Sequence, residues 1–157
     1  MPTIPEHSAG APPSLEQVRA RLGLLVGSVY RKWRRQVDLS FKDMGLSDAR
    51  RMPLLVLYTH GQPMRQKELA EALQLDTSSL VRVLAQLQAD QLLDWACAPS
   101  DRRTKCIALT AKGQHIAAQI LDKSLAIEQS ILADLTPQEL AVTRRALHKI
   151  SQRFDAM

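Results

Sequence analysis

Two short runs of helical periodicity, joined by a turn at Gln74–Asp76, constrain the fold more than any other feature of the chain. In KELAEALQL, Leu69, Ala70 and Leu73 share one helix face; in TSSLVRVLAQLQAD, Leu80, Val83 or Leu84, and Leu87 share another. Asp76 is a suitable N-cap for the second run, because a carboxylate there accepts from backbone N–H groups that the helix start leaves free. Leu75 and Leu80 occupy the two staple positions around that cap. Helices this short, joined through Gln74–Asp76, must turn. The result is a helix-turn-helix, whose apolar faces need further elements to cover them.

The rest of the sequence supplies those elements. Residues 1–13 hold four prolines and a glycine without periodicity, and are read as a flexible tail. From Leu15 to Phe41, apolar residues at Val18, Leu22, Leu25, Val26, Val29, Trp33 and Val37 recur in steps of three and four, predicting one long helix. Gly45 stops it, and Ser47 is the plausible N-cap of a helix ending at Gly61. Pro53 either kinks this second helix or marks a regular part that starts near Met52. Beyond the paired short helices, LLDWAC and KCIAL flank the turn-rich APSDRRT, a β-hairpin with a basic tip. Thr110 caps a helix from Ala111 to about Ala133. Thr136, Pro137 and Glu139, with Leu135 and Leu140 as staple, mark the start of the last helix. There Leu140, Leu147, Ile150 and Phe154 have the near-heptad spacing of a helix that packs on another.

A chain of 157 residues is one domain's worth, and 45% hydrophobic with 24% charged residues suits a globular protein. No apolar run approaches the roughly 20 residues of a membrane span. The opening MPTIPEHSAGAPPS has neither a basic n-region nor an apolar h-region, so the expectation is a cytoplasmic protein. Cys97 and Cys106 form no CxxC pair, and His7, His60, His115 and His148 are scattered, so neither a metal nor a cofactor is expected. With no HExxH, GxSxG, P-loop or GxGxxG, an enzyme is not expected either.

The net charge of +5 permits a polyanionic partner without identifying one. Residues 14–60 hold nine Lys/Arg against four Asp/Glu, residues 61–109 six against six, and residues 110–157 six against five. Any nucleic-acid contact made by the middle third must therefore depend on where individual cations point.

The segment KELAEALQLDTSSLVRVLAQLQADQLL, followed by APSDRRTKCIALTAKG, resembles the winged helix-turn-helix of the MarR family. SLVRVLAQL and SDRRTKCIALT look closest to its SlyA-like branch. The likeness covers roughly residues 15–155, and its most specific part is the Asp-Arg-Arg wing followed by Leu-Thr. It implies a mainly α fold with a small β-hairpin wing, as in a homodimeric, operator-binding transcription regulator. By this likeness residues 14–46 and 110–157 are the N- and C-terminal dimerisation helices and residues 47–109 the DNA-binding lobe. The recognition helix would be 77–90, Asp101 the residue orienting the wing, and Arg103 the minor-groove arginine, with Arg102 and Lys105 near phosphates. Trp33, Arg34 and Arg51 would be contacts for a small aromatic carboxylate effector. Gln91 stands where the family usually has a helix-ending glycine, and Trp95 where an arginine is common.

The chemistry of the same residues points the same way. Thr77, Ser78 and Ser79 offer hydroxyls and free N–H groups at a helix start, suited to phosphate oxygens. Arg82 and Gln86 project opposite Leu80, Leu84 and Leu87, where Arg favours guanine and Gln adenine. A basic hairpin tip suits a narrow minor groove. Two other readings stay open: a helical dimeric protein-interaction module without DNA binding, and a thiol-redox-responsive regulator in which Cys97 and Cys106 face each other across the hairpin.

Overall fold

The computed structural model describes residues 12–98 and 100–157, so most of the expected tail lies outside the described residues. The chain divides into two compact units between Gln36 and Val37. In the first, α1 (Leu15–Arg19) starts at Ser14, whose hydroxyl and the Gln17 side chain form a reciprocal capping box. The single helix expected from Leu15 to Phe41 is in fact two. At the break the Arg21 N–H reaches back only to the Val18 carbonyl (3.2 Å), before α2 (Leu22–Ser40) begins. Gly23 and Gly27, at the start of α2, give it little intrinsic propensity to run straight through from α1.

The second unit opens with the end of α2 and a short 3₁₀ turn, Lys42–Met44, closed by Gly45 at φ 63°, a conformation that costs glycine little. Next comes α3 (Asp48–His60), ended by Gly61 at φ 75°. Pro53 neither breaks nor delays this helix; it lies inside it, fully buried. The helix-turn-helix consists of α4 (Gln66–Leu73) and α5 (Thr77–Ala89). Between them Gln74 adopts φ 54°, while the Gln74 and Leu75 N–H groups return to the carbonyls of Glu71 and Ala70. The core is a single cluster including Phe41, Leu54, Leu57, Leu69, Leu80, Leu84, Leu87, Ile107 and Ile120, so the apolar faces read for the helix-turn-helix are buried, whereas Leu22, Leu25, Val26 and Val29 of the first stripe are exposed.

The hairpin pairs β1 (Leu93–Ala98) with β2 (Asp101–Leu109), and Met64 exchanges both backbone hydrogen bonds with Ile107, tying the start of α4 to the wing. Next, α6 (Ala111–Ile131) is capped by the Thr110 hydroxyl, and α7 (Pro137–Asp155) by the Thr136–Glu139 capping box. No residue of α7 is buried; Val142, Leu147, Ile150 and Phe154 stand exposed along it.

The end of α5 has a consequence for stability. Gln91 sits at φ 61°, with the Gln91 and Leu92 N–H groups returning to Gln88 and Leu87. A side chain is strained there, so Gln91→Gly is expected to stabilise the fold by about 0.5–1 kcal/mol. Thermal denaturation followed by circular dichroism would show this as a rise of about 1–4 °C.

Candidate nucleic-acid interface

The N-terminus of α5 is organised by one carboxylate. Asp76 accepts from the Ser79 N–H (2.8 Å), the Ser78 hydroxyl (2.5 Å) and the Ser79 hydroxyl (2.7 Å). These donors, the Ser78 hydroxyl foremost, hold the Asp76 carboxyl well below the usual carboxylate range. The geometry changes what the serines can offer. Each hydroxyl proton is already given to Asp76, so the oxygens present lone pairs outward, whereas binding phosphate through them would require donation. Thr77, Arg82 and Gln86 are exposed on the same helix, and Arg82 has no ion-pair partner among the described residues.

In the wing, Cys97 pairs with Lys105 but Ala98 pairs with Asp101, so Arg102, Arg103 and Thr104 bulge out of the ladder. The Asp101 carboxylate fixes that bulge: it accepts from the Arg103 N–H (2.9 Å) and the Thr104 hydroxyl (2.8 Å). The Arg103 N–H contributes most to lowering the Asp101 pKa. Asp101 therefore holds the chain beneath the arginines, and leaves the exposed side chains of Arg102, Arg103 and Lys105 free to reach outward.

Pairing also explains how a segment with no net charge can present a cationic face. All six carboxylates of residues 61–109 are engaged: Glu68 by the Arg65 N–H, Glu71 by Lys67, Asp76 by its serines, Asp90 by Arg50, Asp94 by Gln88 and the Trp95 N–H, and Asp101 by its bulge. Of the six cations only Lys67 has a carboxylate within ion-pair reach, Glu71 at 4.0 Å. Arg65, Arg82, Arg102, Arg103 and Lys105 remain exposed and unpaired among the described residues. Arg65 is the one that periodicity and motif did not single out; the only sequence clue was a cation immediately before a short helix.

Asp76 and Asp101 both have folded pKa values below those of the unfolded chain. The stability they lend is complete above the ordinary carboxylate range and is lost as pH falls through it towards the lowered values. Melting curves are therefore expected to be flat with respect to these two groups from about pH 6 to 8 and to fall below about pH 4.

The expected effector residues are divided between the two units. In the first, half-buried Arg34 donates to the Tyr30 hydroxyl (3.1 Å) and lies 5.8 Å from its ring centroid, and neighbouring Trp33 is half-buried. In the second, Arg51 is only 3% exposed. It donates to the Leu46 carbonyl (2.7 Å) and to Asp38 (2.9 Å), and its guanidinium stacks 4.5 Å from the centre of the Phe41 ring. A carboxylate ligand would have to displace Asp38 to claim it.

The facing-cysteine arrangement is corrected by the register. Cys97 stands opposite Lys105 and Cys106 opposite Ala96, one step out of register, which puts the two thiols on opposite faces; Cys97 is exposed and Cys106 buried. A bond between them would require the hairpin to slip, so the intrachain thiol switch has no structural basis.

A helix-turn-helix flanked by an antiparallel hairpin, with unpaired cations on its second helix and hairpin tip, defines a winged-helix DNA-binding protein. Residues 47–105 match the model of the MarR family. The transcriptional regulator PA3341 is similar over 86% of this chain and 98% of its own, at 29% identity and a TM-score of 0.78. A mutant MarR from E. coli complexed with operator DNA shares the fold at 23% identity and a TM-score of 0.72, over 88% of this chain and 99% of its own. BpsR from Bordetella bronchiseptica, whose DNA binding is regulated by 6-hydroxynicotinic acid, shares it at 22% identity and a TM-score of 0.73, over 89% and 97%. The helix-turn-helix and wing are thus the part of the chain that matches the MarR family, and the similar structures share the fold over most of its length. Among the described residues, no helix is long and apolar enough to cross a membrane.

Proposed function

We propose that the protein is a cytoplasmic homodimer that binds a pseudo-palindromic operator, its half-sites about one helical turn apart, and represses by occluding promoter access. The observation that carries this reading is the segregation of charge: every carboxylate of residues 61–109 is engaged, and the unpaired cations lie on the recognition helix, on the wing and beside it. In this arrangement α5 enters the major groove. Arg82 and Gln86 meet base edges, the Thr77 hydroxyl and N-terminal N–H groups meet phosphate, and the oxygens of Ser78 and Ser79 accept from exocyclic amino groups. Arg103 enters the minor groove, while Arg102 and Lys105 lie near phosphates. Residues 14–46 and 110–157 form the dimer, which covers the apolar stripe of α7.

A gel shift with the DNA upstream of the encoding gene tests this. Binding should be seen at low salt and weaken steeply as salt rises, because neutralised phosphates release counterions. No shift with any genomic fragment would favour the protein-interaction module instead. The effector reading is carried by Trp33 and Arg34, with BpsR and its aromatic acid as the supporting parallel. Arg51 has a structural role in this scheme, being held by Asp38 and Leu46. If a panel of benzoate-like acids neither raises the melting temperature nor releases DNA, the ligand-responsive form is excluded.

A further inference from the structure

Four of the five unpaired cations of residues 61–109 belong to the recognition helix and the wing; the fifth, Arg65, stands where the first helix of the motif meets the wing. We propose that Arg65 contacts a backbone phosphate beside the groove that α5 enters, an inference that rests on the DNA-binding reading. Three observations place it for that task. The reciprocal Met64–Ile107 hydrogen bonds (3.0 and 2.7 Å) pin the backbone next to Arg65 against β2 near the base of the hairpin. The Arg65 N–H donates to Glu68 (2.9 Å), so the base of the side chain is held while that carboxylate is used locally. The side chain itself is exposed, with no carboxylate within 4 Å among the described residues.

The geometry suits a phosphate rather than a base. The first helix of a helix-turn-helix lies across the sugar–phosphate backbone while the second enters the groove. A guanidinium at the start of that first helix matches two phosphate oxygens at once. Lys67, two residues on, is paired with Glu71 and adds less.

Arg65→Ser tests the proposal cleanly. The substitution removes the cation and installs a favoured N-cap residue that keeps Glu68 as its capping-box partner, so the melting temperature is expected to match or exceed that of the wild type. Two copies of Arg65 are lost per dimer. The plot of log affinity against log salt should therefore become shallower by about 1.8, with operator and unrelated DNA weakened by the same factor. Arg65→Lys should restore most of the slope. A wild-type slope in the folded Arg65→Ser protein, or a loss confined to the operator, overturns the phosphate contact and leaves the DNA-binding reading standing. A wild-type protein that binds no DNA overturns both.

Discussion

Replacing Gly113 by alanine is expected to destabilise the fold by about 3 kcal/mol, since among the described glycines it is the one where an added methyl group meets backbone atoms. The reason is a backbone approach. A Cβ at Gly113 would lie 1.8 Å from the Leu92 carbonyl oxygen and 2.8 Å from its carbon, far inside contact distance. Neither atom belongs to a flexible side chain that can swing away. Leu92 is fixed on both sides: its N–H donates to Leu87 at the end of α5, and its carbonyl accepts from the Thr110 N–H (3.2 Å). Gly113 is fixed too, since its own N–H donates to the Thr110 hydroxyl (3.0 Å). Relief requires α6 to move away from the junction of α5 and β1, which would open the core around Leu87 and Leu92. Calorimetry should show a melting temperature lower by about 6–12 °C. A change within a degree would mean that α6 does not pack this closely.

The second large effect falls on binding. Arg103→Ala is expected to weaken operator binding by about 1–3 kcal/mol while the dimer and its melting temperature persist. Arg103 lies in the bulge that leaves the β-ladder, its N–H held by Asp101, so the side chain contributes nothing to the core. A narrow minor groove concentrates negative potential, and a guanidinium sheds its hydration there more readily than an ammonium. Arg103→Lys should therefore recover only part of the loss, whereas Arg102→Lys, near a phosphate, should be nearly neutral. Fluorescence anisotropy on an operator duplex separates these cases. Unchanged affinity for Arg103→Ala would remove the wing from recognition.

Features set by residues within about four positions of one another were readable from the sequence alone. Asp76, Thr110 and Thr136 cap helices where their spacing to the next apolar residue puts them, and Gly45 and Gly61 take the left-handed conformations that end helical segments. The apolar faces of the helix-turn-helix follow directly from periodicity. What escaped depends on pairs distant in sequence. The Gly113–Leu92 approach spans 21 residues, and nothing local distinguishes this glycine from Gly23, which has nothing within 4 Å of a built Cβ. The cysteine arrangement failed because hairpin register is decided by the bulge after Asp101, and one step of register exchanges faces.

Electrostatic detail was the least legible part of the site. Arg51 is an effector contact only by the family likeness, which shows neither its burial nor its partners; Asp38 and Leu46 become its partners only when the end of α2 folds against the start of α3. Ser78 and Ser79 looked like phosphate donors because a sequence does not show where a hydroxyl proton goes, and here Asp76 takes both. Arg65 was unremarked because its place beside the wing depends on the Met64–Ile107 bridge, 43 residues apart.

Selection of duplexes from a randomised library by the purified wild-type protein at low salt, followed by sequencing, tests most directly whether α5 and the wing together read DNA. The expected result is an enriched inverted repeat with half-site centres about one helical turn apart. It should carry guanine or adenine preferences that Arg82→Ala and Gln86→Ala relax, and an A·T-rich flank that Arg103→Ala relaxes. Recovery of a library as random as the one supplied would contradict it.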